Sequence, residues 1–331
     1  MPQKTIEVEH LSKVYGSTVA IKDMNFSVDA GEIIGFLGPN GAGKTTTMRI
    51  LAGYLPATSG VAKIAGYDVH RHSMQVRRCI GYLPEIPPLY PDMSVKQYLN
   101  FVAKIKGIGS GDRHRRVYNA MVNCQLVDRE DIKIRKLSKG YRQRVGIAQA
   151  IVHEPPVIIL DEPTVGLDPR QIIEVRNLIK SLAGKHTIVL STHILPEASM
   201  ICDRVTIINQ GKVVTTNTPK DLQTQIETSS GYEVEISGNV NIKEVIALLQ
   251  NIPGVIQTIS HGRQRNNSSN KSAGNYLLKI TSHPMATPGK DIAKLIVQQG
   301  LELHELRRIR LSLEDIFLEL TTEESVTADR Q

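Results

Sequence analysis

The sequence contains no tryptophan, and aromatic residues make up only 4% of its 331 residues. Proteins that bind single-stranded nucleic acid stack the bases on aromatic side chains, so this scarcity argues against that class of function. The three cysteines, Cys79, Cys124 and Cys202, form no C-x-x-C pair. Such dispersed cysteines argue against a disulfide framework or a zinc site and favour a reducing compartment.

Long apolar runs are also missing from the sequence. No uninterrupted apolar stretch approaches the roughly 18 residues that a helix needs to cross a bilayer. The opening MPQKTIEVEH lacks the apolar centre of a signal peptide. We therefore expect a cytoplasmic protein that works at a membrane only through a spanning partner. The net charge of +7 is compatible with a solvated basic surface and with attraction to anionic lipid or nucleic acid. Net charge alone does not distinguish these interpretations.

Short apolar runs alternate with helical patterns through the first two thirds of the chain. Those that predict buried strands are EIIGFLG (32–38), VIILDEP (157–163), HTIVLSTH (186–193) and RVTIINQG (204–211). Apolar strands separated by helices are typical of a parallel sheet with helices on both faces. The pattern predicts an α/β core at 1–220 with a mainly parallel sheet and an inserted helical lobe at about 98–150.

The pattern changes near residue 218. From 221 to 331 the order is strand, helix, strand, strand, helix, strand, with a polar loop predicted at 261–274 between the central strands. This order is the split β-α-β arrangement, so we expect a small C-terminal α+β domain of the ferredoxin-like type. A final apolar stripe in SLEDIFLELT (312–321) is expected to dock on its own domain or on a sister subunit.

The segment GPNGAGKTT fits the phosphate-loop motif G-x-x-x-x-G-K-[ST] and lies between a predicted strand and a helical pattern. Its glycines let backbone N–H groups approach phosphate oxygens. Lys44 would supply a cation for the β- and γ-phosphates and Thr45 a hydroxyl for Mg²⁺, and the helix N-terminus adds to the attraction. The candidate phosphate-binding residues are Gly38, Pro39, Asn40, Gly41, Ala42, Gly43, Lys44, Thr45 and Thr46.

An acidic pair, Asp161 and Glu162, follows the apolar strand pattern at 157–160. Beside a phosphate loop, Asp161 is expected to hold Mg²⁺ through water, and Glu162 to orient or deprotonate the attacking water. An acidic pair after a strand can also be an ordinary solvated turn, but the nearby phosphate loop favours catalysis. His193 follows another strand at the sheet edge where α/β proteins bind ligands, and we expect it to contact the γ-phosphate.

The motifs GPNGAGKTT, LSKGYRQR, IILDEP, GLDP and STH occur in this order between residues 6 and 220. In this combination the chain resembles the nucleotide-binding subunit of ATP-binding cassette (ABC) transporters, in an exporter-type branch that includes gliding-motility ATP-binding proteins. The resemblance implies a P-loop NTPase core that hydrolyses ATP with Mg²⁺ and drives a separate polytopic membrane permease. It also implies a peripheral position on the cytoplasmic face of the cell membrane, with no nucleic acid as partner.

The resemblance further implies a head-to-tail dimer, in which each ATP lies between the phosphate loop of one copy and the signature segment of the other. Ser138 and Gly140 would meet the γ-phosphate bound to the second copy, and a helix N-terminus with a small hydroxyl favours such an anion. Asp168 matches the family's dimer-contact loop, and Tyr15 matches the aromatic residue that stacks on adenine. The segment 85–101 matches the groove that receives a permease loop.

Two departures from the family pattern concern charge. The signature is usually Leu-Ser-Gly-Gly-Gln, whereas Lys139 stands at the third position here and Tyr141 at the fifth. The loop that commonly carries a glutamine near Mg²⁺ carries Glu85 instead. A carboxylate can still meet the metal or accept from water, but it should make metal and nucleotide contacts more dependent on pH.

The sequence leaves three functions to weigh. The motif set favours a transport motor. A soluble regulatory ATPase acting on ribosomes or DNA usually has two cassettes or long coiled coils, and this sequence has one phosphate loop and no heptad run. A binding module with ATP as a structural ligand would not need the intact acidic pair. The transported substrate is not encoded in this chain, because its choice belongs to the spanning partner.

Overall fold

The computed structural model describes residues 4–221, 230–238, 241–264, 274–283 and 286–310. The chain divides into two compact units, Met1–Pro219 and Lys220–Gln331. The apolar stripe predicted at 312–321 and the centre of the predicted loop at 261–274 lie outside the described residues.

The first unit alternates strands and helices. Its strands are β1 (Lys4–Tyr15), β2 (Thr18–Asp29), β3 (Ile33–Leu37), β4 (Ser59–Ile64), β5 (Tyr67–Asp68), β6 (Ile80–Leu83), β7 (Val157–Asp161), β8 (Thr187–Thr192), β9 (Arg204–Asn209) and β10 (Lys212–Asn217). Its helices are α1 (Lys44–Leu51), α2 (Ser73–Cys79), α3 (Val95–Ile105), α4 (Ser110–Asn123), α5 (Lys139–Ile151), α6 (Pro169–Leu182) and α7 (Leu195–Ile201). In the part of the chain that the structure describes, no helix is long and apolar enough to cross a membrane.

A six-stranded sheet in the order β10-β9-β3-β8-β7-β6 forms the centre of this unit. All its neighbouring strands run parallel except β10, which pairs antiparallel with β9. Strands β3, β7 and β8 are buried along their whole length, which is why they read as continuous apolar runs. The predicted mainly parallel sheet is confirmed. Because Leu37 pairs with Thr192 and Asp161 with Ser191, the carboxyl ends of these three strands meet at one edge.

A second sheet, in the order β2-β1-β4-β5, was not predicted from the sequence. Its register between β1 and β2 is interrupted by several bulges, and these break the alternation of apolar and polar residues by which a strand is recognised. Its inner face shares one apolar core with the parallel sheet. Phe36 of β3 is fully buried there and packs edge-to-face on Phe26 of β2, with ring centroids 4.9 Å apart.

The inserted lobe consists of α3, α4 and α5 with two 3₁₀ turns at Val127–Arg129 and Ile134–Lys136. It begins slightly before the predicted boundary because Ser94 and Gln97 form a reciprocal capping box that starts α3 at Val95.

The second unit contains β11 (Ser230–Gly238), α8 (Ile242–Gln250), β12 (Val255–Gln264), β13 (Gly274–Ser282), α9 (Gly289–Gln298) and β14 (Glu302–Arg310). Its antiparallel sheet has the order β12-β13-β11-β14, and an apolar cluster joins that sheet to both helices. This is the predicted ferredoxin-like arrangement. The polar segment expected to be a loop from 261 is strand as far as Gln264, and strand resumes at Gly274.

His153, which follows α5, is held in a cationic and largely buried environment at the lobe's contact with β6. Its Nε2 lies 2.9 Å from the Ile80 carbonyl oxygen, while its Nδ1 is buried with no partner in the described ranges. Burial lowers the pKa of His153 to about 4, and the nearby charges of Lys106, Arg116 and His186 act in the same direction. The folded protein therefore holds this ring neutral.

The neutral ring predicts a loss of stability in mild acid. Unfolded His153 binds a proton as the pH falls through 6.5, whereas the folded form resists it down to about pH 4. Stability is therefore lost across that window, by about 2 kcal/mol at pH 5. We expect His153→Gln, which keeps a donor for Ile80 and does not titrate, to lose less stability than wild type between about pH 7 and pH 5 in urea unfolding. His114→Gln, at an exposed position on α4, is the control, and its free energy of unfolding should fall between pH 7 and pH 5 as much as that of wild type. The same fall in both variants would contradict the prediction.

Candidate active site

A cavity of about 380 Å³ opens where the carboxyl ends of β3, β7 and β8 meet. Most of the predicted phosphate-loop residues line it, together with residues from four other segments. The lining residues are Ala20, Asn40, Gly41, Ala42, Gly43, Lys44, Thr45, Thr46, Glu85, Glu162, Val165 and His193. The structure thus brings most of the predicted phosphate loop, Glu85, Glu162 and His193 to one cavity. Ala20 and Val165, which also line it, were not predicted.

The phosphate loop needs glycine at two close approaches of the backbone. Gly43, immediately before α1, has φ +103, and a Cβ there would lie 2.7 Å from the Ala20 carbonyl oxygen. A Cβ on Gly38 would lie 2.4 Å from the carbonyl oxygen of Ile208. These contacts fix the loop against β2 and β9, so the N-terminal turn of α1 opens onto the cavity and offers its free N–H groups to an anion.

Lys44, the first residue of α1, is buried beneath the loop with only 5% of its surface exposed. Its ammonium donates to the carbonyl oxygens of Gly38 at 2.7 Å and Pro39 at 3.2 Å. It also forms an ion pair with Glu162, with Nζ and Oε1 3.5 Å apart. The cation of the loop is therefore directly joined to the acidic pair that follows β7.

Asp161, the last residue of β7, is 1% exposed and accepts hydrogen bonds through one of its two oxygens. Thr45 Oγ1 donates to Oδ1 at 3.2 Å and Ser191 Oγ donates to the same atom at 2.6 Å. Burial raises the pKa of Asp161, these two hydroxyls lower it, and the charges of Glu162 and Glu85 raise it again.

The second oxygen of Asp161 tests whether a divalent cation fits this place. Oδ2 is buried and has no hydrogen-bond partner in the described part of the chain. A buried carboxylate oxygen without a donor is costly unless a cation meets it, and carboxylate and hydroxyl oxygens suit Mg²⁺. No group of three or more His, Cys, Asp or Glu side chains within the described ranges forms a metal site by itself. Asp161 and Thr45 therefore fit a cation that takes its other ligands from phosphate or water.

Glu162 has a strained backbone that its neighbours support. Its φ of +48° is unusual for a residue other than glycine, and its N–H donates to Ser191 Oγ at 2.9 Å. Its side chain is held between Lys44 and His193, whose Nδ1 lies 2.9 Å from Oε2. The turn thus aims a largely buried carboxylate into the cavity.

Ser191, in β8, is a site residue that the sequence reasoning missed. Its hydroxyl contacts both members of the acidic pair, donating to Asp161 and accepting from the Glu162 N–H. The available signal was the spacing in STH, which places a small hydroxyl two residues before His193 in a strand that pairs with β7.

Tyr15 does not lie among the residues that line the cavity. It is the last residue of β1, and it is 45% exposed. The Lys13 ammonium lies 5.1 Å from the centroid of its ring.

Ser138, Gly140 and Asp168 lie outside the phosphate-loop cavity, at the starts of α5 and α6. Ser138 caps α5 by accepting from the Tyr141 N–H at 3.4 Å, and Asp168 caps α6 by accepting from the Gln171 N–H at 2.9 Å. Ser138 and Gly140 line another cavity, of about 300 Å³, with no member in common with the first.

Comparisons with known proteins point to one family. The family model for ABC transporters matches residues 21–165. The chain is 34% identical to the bacitracin transport ATP-binding protein BcrA of Bacillus licheniformis, over 95% of this chain and 96% of that protein. It is 32% identical to the Nod factor export ATP-binding protein I of Cupriavidus pinatubonensis, over 96% and 91% of the two chains. A solved dimeric ATP-binding cassette in a post-hydrolysis state with ADP and Pi is 25% identical, with a TM-score of 0.59 over 65% of this chain and 98% of that one.

The two hydrogen bonds of the Ser191 hydroxyl, to Asp161 and from the Glu162 N–H, predict that this side chain stabilises the folded protein. Ser191→Ala leaves Asp161 with one hydroxyl donor and removes an acceptor from the Glu162 N–H. Loss of such buried partners costs about 1–3 kcal/mol, so we expect the free energy of unfolding in urea to fall by that amount. Ser199→Ala is the control, because the Ser199 hydroxyl is buried with no partner in the described ranges. Its change should stay under about 0.5 kcal/mol, and equal losses would contradict the assignment.

Proposed function

The chain belongs to the family of ABC transporter ATP-binding proteins, and from that premise we propose that two copies form a head-to-tail dimer that hydrolyses two ATP molecules to drive a separate membrane permease. Binding of ATP follows from membership in the family. The observation that carries the catalytic proposal is the ion-paired Glu162, which is directed into the phosphate-loop cavity beside Lys44.

In the proposed site, the backbone N–H groups of the phosphate loop and the Lys44 ammonium hold the β- and γ-phosphates. Thr45, Asp161 and Glu85 would hold Mg²⁺, because Thr45 and Glu85 line the cavity and Thr45 donates to Asp161, whose second oxygen is buried without a donor in the described ranges. Mg²⁺, when bound, would neutralise phosphate charge. We assign adenine stacking to Tyr15, with Lys13 beside its ring.

Hydrolysis requires a base for the attacking water. The water oxygen forms a bond to the γ-phosphorus, while the bond from that phosphorus to the β–γ bridging oxygen breaks and its electron pair leaves with ADP. Glu162 accepts the proton that the water loses. His193 and Lys44 hold the carboxylate from two sides, and His193 is also placed at the cavity wall to contact the γ-phosphate.

The dimer proposal is supported by the separation of two phosphate-binding features within one chain. Ser138 and Gly140 begin α5 and line no part of the phosphate-loop cavity of their own chain, so we assign them to the γ-phosphate bound by the second copy. Asp168, at the start of α6, is assigned to the contact between the copies. The solved cassette that resembles this chain and holds ADP and Pi is a dimer.

The permease is proposed to dock on the surface formed by residues 85–101. Ile86 and Tyr90 are 84% and 50% exposed there. Tyr90 packs edge-to-face on Phe101, with centroids 5.4 Å apart, which gives the surface an ordered aromatic patch. Relatives named for bacitracin transport and Nod factor export support export as the direction, from a position on the cytoplasmic face of the cell membrane. The second unit is assigned an accessory role in the same complex.

Glu162→Gln tests the mechanism. The amide cannot accept the water's proton, so we expect hydrolysis to fall at least about 100-fold while ATP and the dimer accumulate. Phosphate release and size-exclusion chromatography with ATP measure both effects. Glu154→Gln is a matched control, because Glu154 also has a positive φ but lies outside the cavity. Hydrolysis by Glu162→Gln at the wild-type rate would contradict the role of this base.

The transport role is tested by recovering the complex from the native cell. We expect the tagged chain, extracted from membranes in mild detergent, to bring down a polytopic membrane protein in stoichiometric amount, identified by mass spectrometry. A variant with Ile86 and Tyr90 changed to Glu should fold and bind ATP but lose that protein. Recovery of ribosomal proteins or DNA with no spanning partner would instead favour the regulatory ATPase.

A further inference from the structure

Glu197, in the first turn of α7, is a buried acid that the proposed mechanism does not use. Its Oε2 accepts from the Thr164 hydroxyl at 2.6 Å and, at the longer distance of 3.5 Å, from the Thr192 hydroxyl. The Thr192 oxygen itself accepts from the Ile194 N–H at 3.0 Å, which leaves the hydroxyl hydrogen available for Glu197. A buried carboxylate is costly unless it is paired, and across the described ranges Glu197 is met by these hydroxyls and by no cation. Its position is therefore tied to that of the two threonines.

Both threonines belong to segments that carry catalytic groups of the proposed mechanism. Thr164 lies two residues after Glu162, in the turn that follows β7. Thr192 is the last residue of β8 and directly precedes His193. Both threonine side chains are buried. Glu197 thus joins the segment that presents Glu162 to the segment that presents His193.

These contacts close into a ring. At the cavity, Glu162 and His193 meet directly, with Oε2 and Nδ1 2.9 Å apart. Behind them, Thr164 and Thr192 meet through Glu197. The backbone of Glu162 has φ +48°, a conformation that persists only where the surrounding structure supports it. A displacement of Glu197 would therefore reach the Glu162 carboxylate from two sides, through its own turn and through His193.

We propose that Glu197 is a positioning residue for hydrolysis. It holds the turn after β7 and the end of β8 in the mutual placement at which the Glu162 carboxylate faces the attacking water. Glu197 lines no part of the phosphate-loop cavity, so it acts through the two threonines rather than on the nucleotide. Its loss lowers the rate of the chemical step and leaves unchanged the binding of ATP, which the phosphate loop performs. This inference rests on the proposed role of Glu162 as the base.

Changes at Thr164 test the proposal with the least disturbance of packing. Thr164→Val removes the hydroxyl and keeps the branched shape, and we expect kcat to fall about 10- to 100-fold, because displacement of a catalytic group by about 1 Å costs up to about 100-fold. Thr164→Ser keeps the hydroxyl and should recover most of that loss. The KM for ATP and the affinity for a fluorescent ATP analogue should each change less than about twofold. Phosphate release measures kcat and KM.

Changes at Glu197 itself give the second readout. Glu197→Ala removes the acceptor of both threonines and should lower kcat at least as far as Thr164→Val, whereas Glu197→Gln keeps an oxygen that accepts from Thr164 and should recover most of the rate. Wild-type kcat in either Glu197→Ala or Thr164→Val would overturn the proposal, as would a loss that appears in the affinity for ATP rather than in kcat. Failure of both conservative variants to recover the rate would reduce the effect to packing and also overturn it. If Glu197→Ala does not fold, the Thr164 variants decide.

Thr187→Val is the matched control, because Thr187 is a buried threonine at the other end of β8. Its hydroxyl accepts from the Gly31 N–H at 2.9 Å, and it lines no part of the phosphate-loop cavity. We expect this variant to lose about as much stability in urea unfolding as Thr164→Val, because each loses one buried hydrogen bond, while its kcat stays within about twofold of wild type. An equal fall in kcat would show that lost stability sets the rate, and the positioning role would be wrong.

Double variants separate this role from the proposed function itself. In a Glu162→Gln background, measured as single-turnover hydrolysis over hours, Glu197→Ala should cause less than about twofold further loss, because the base on which it acts is absent. A further loss as large as that in the wild-type background would overturn the proposal. If Glu162→Gln alone hydrolyses ATP at the wild-type rate, the assignment of the base is wrong. If Glu162→Gln is slow and Glu197→Ala is not, only the role of Glu197 is wrong.

Discussion

The buried acidic pair at the end of β7 is the constraint on which the rest of the site depends. Two adjacent carboxylates with 1% and 7% exposure are costly unless each is met by donors or cations. Asp161 takes its hydroxyls from α1 and β8, through Thr45 and Ser191. Glu162 takes its cation from α1, through Lys44. Because both carboxylates require these partners, the phosphate loop and the end of β8 must lie beside the end of β7. The parallel sheet holds them in that position.

The parts of this site that are local in sequence were predictable. Glycines around a lysine and a threonine, after a buried strand, define a phosphate loop, and the pair Asp161 and Glu162 ends the apolar run of β7. Because β3 and β7 are parallel strands of one sheet, their carboxyl ends lie at the same edge of that sheet. The ferredoxin-like order of the second unit followed from the alternation of strand and helix patterns in the same way.

Features that depend on register or on long-range pairing were not predictable. Ser191 contacts the acidic pair only because β8 lies beside β7 with Ser191 opposite Asp161. The motif STH places a hydroxyl near His193, but it does not give the register that sets this hydroxyl against Asp161. The antiparallel sheet of the first unit was not predicted, because bulges between β1 and β2 disrupt the alternation of apolar and polar residues along these strands. The positive φ of Glu162 is likewise a property of the turn's environment and not of glutamate.

Charge is divided unequally between the two phosphate-facing places of the chain. The first cavity sets Glu85 beside the acidic pair with one lysine. The cavity at the start of α5 has Asp128, Glu174 and Arg144 in its lining, and Lys139 is the first residue of that helix. In the proposed dimer the start of α5 of each copy faces the phosphate-loop cavity of the other across the nucleotide. The two departures from the family pattern, an added carboxylate and an added ammonium, then act on the same composite site with opposite sign.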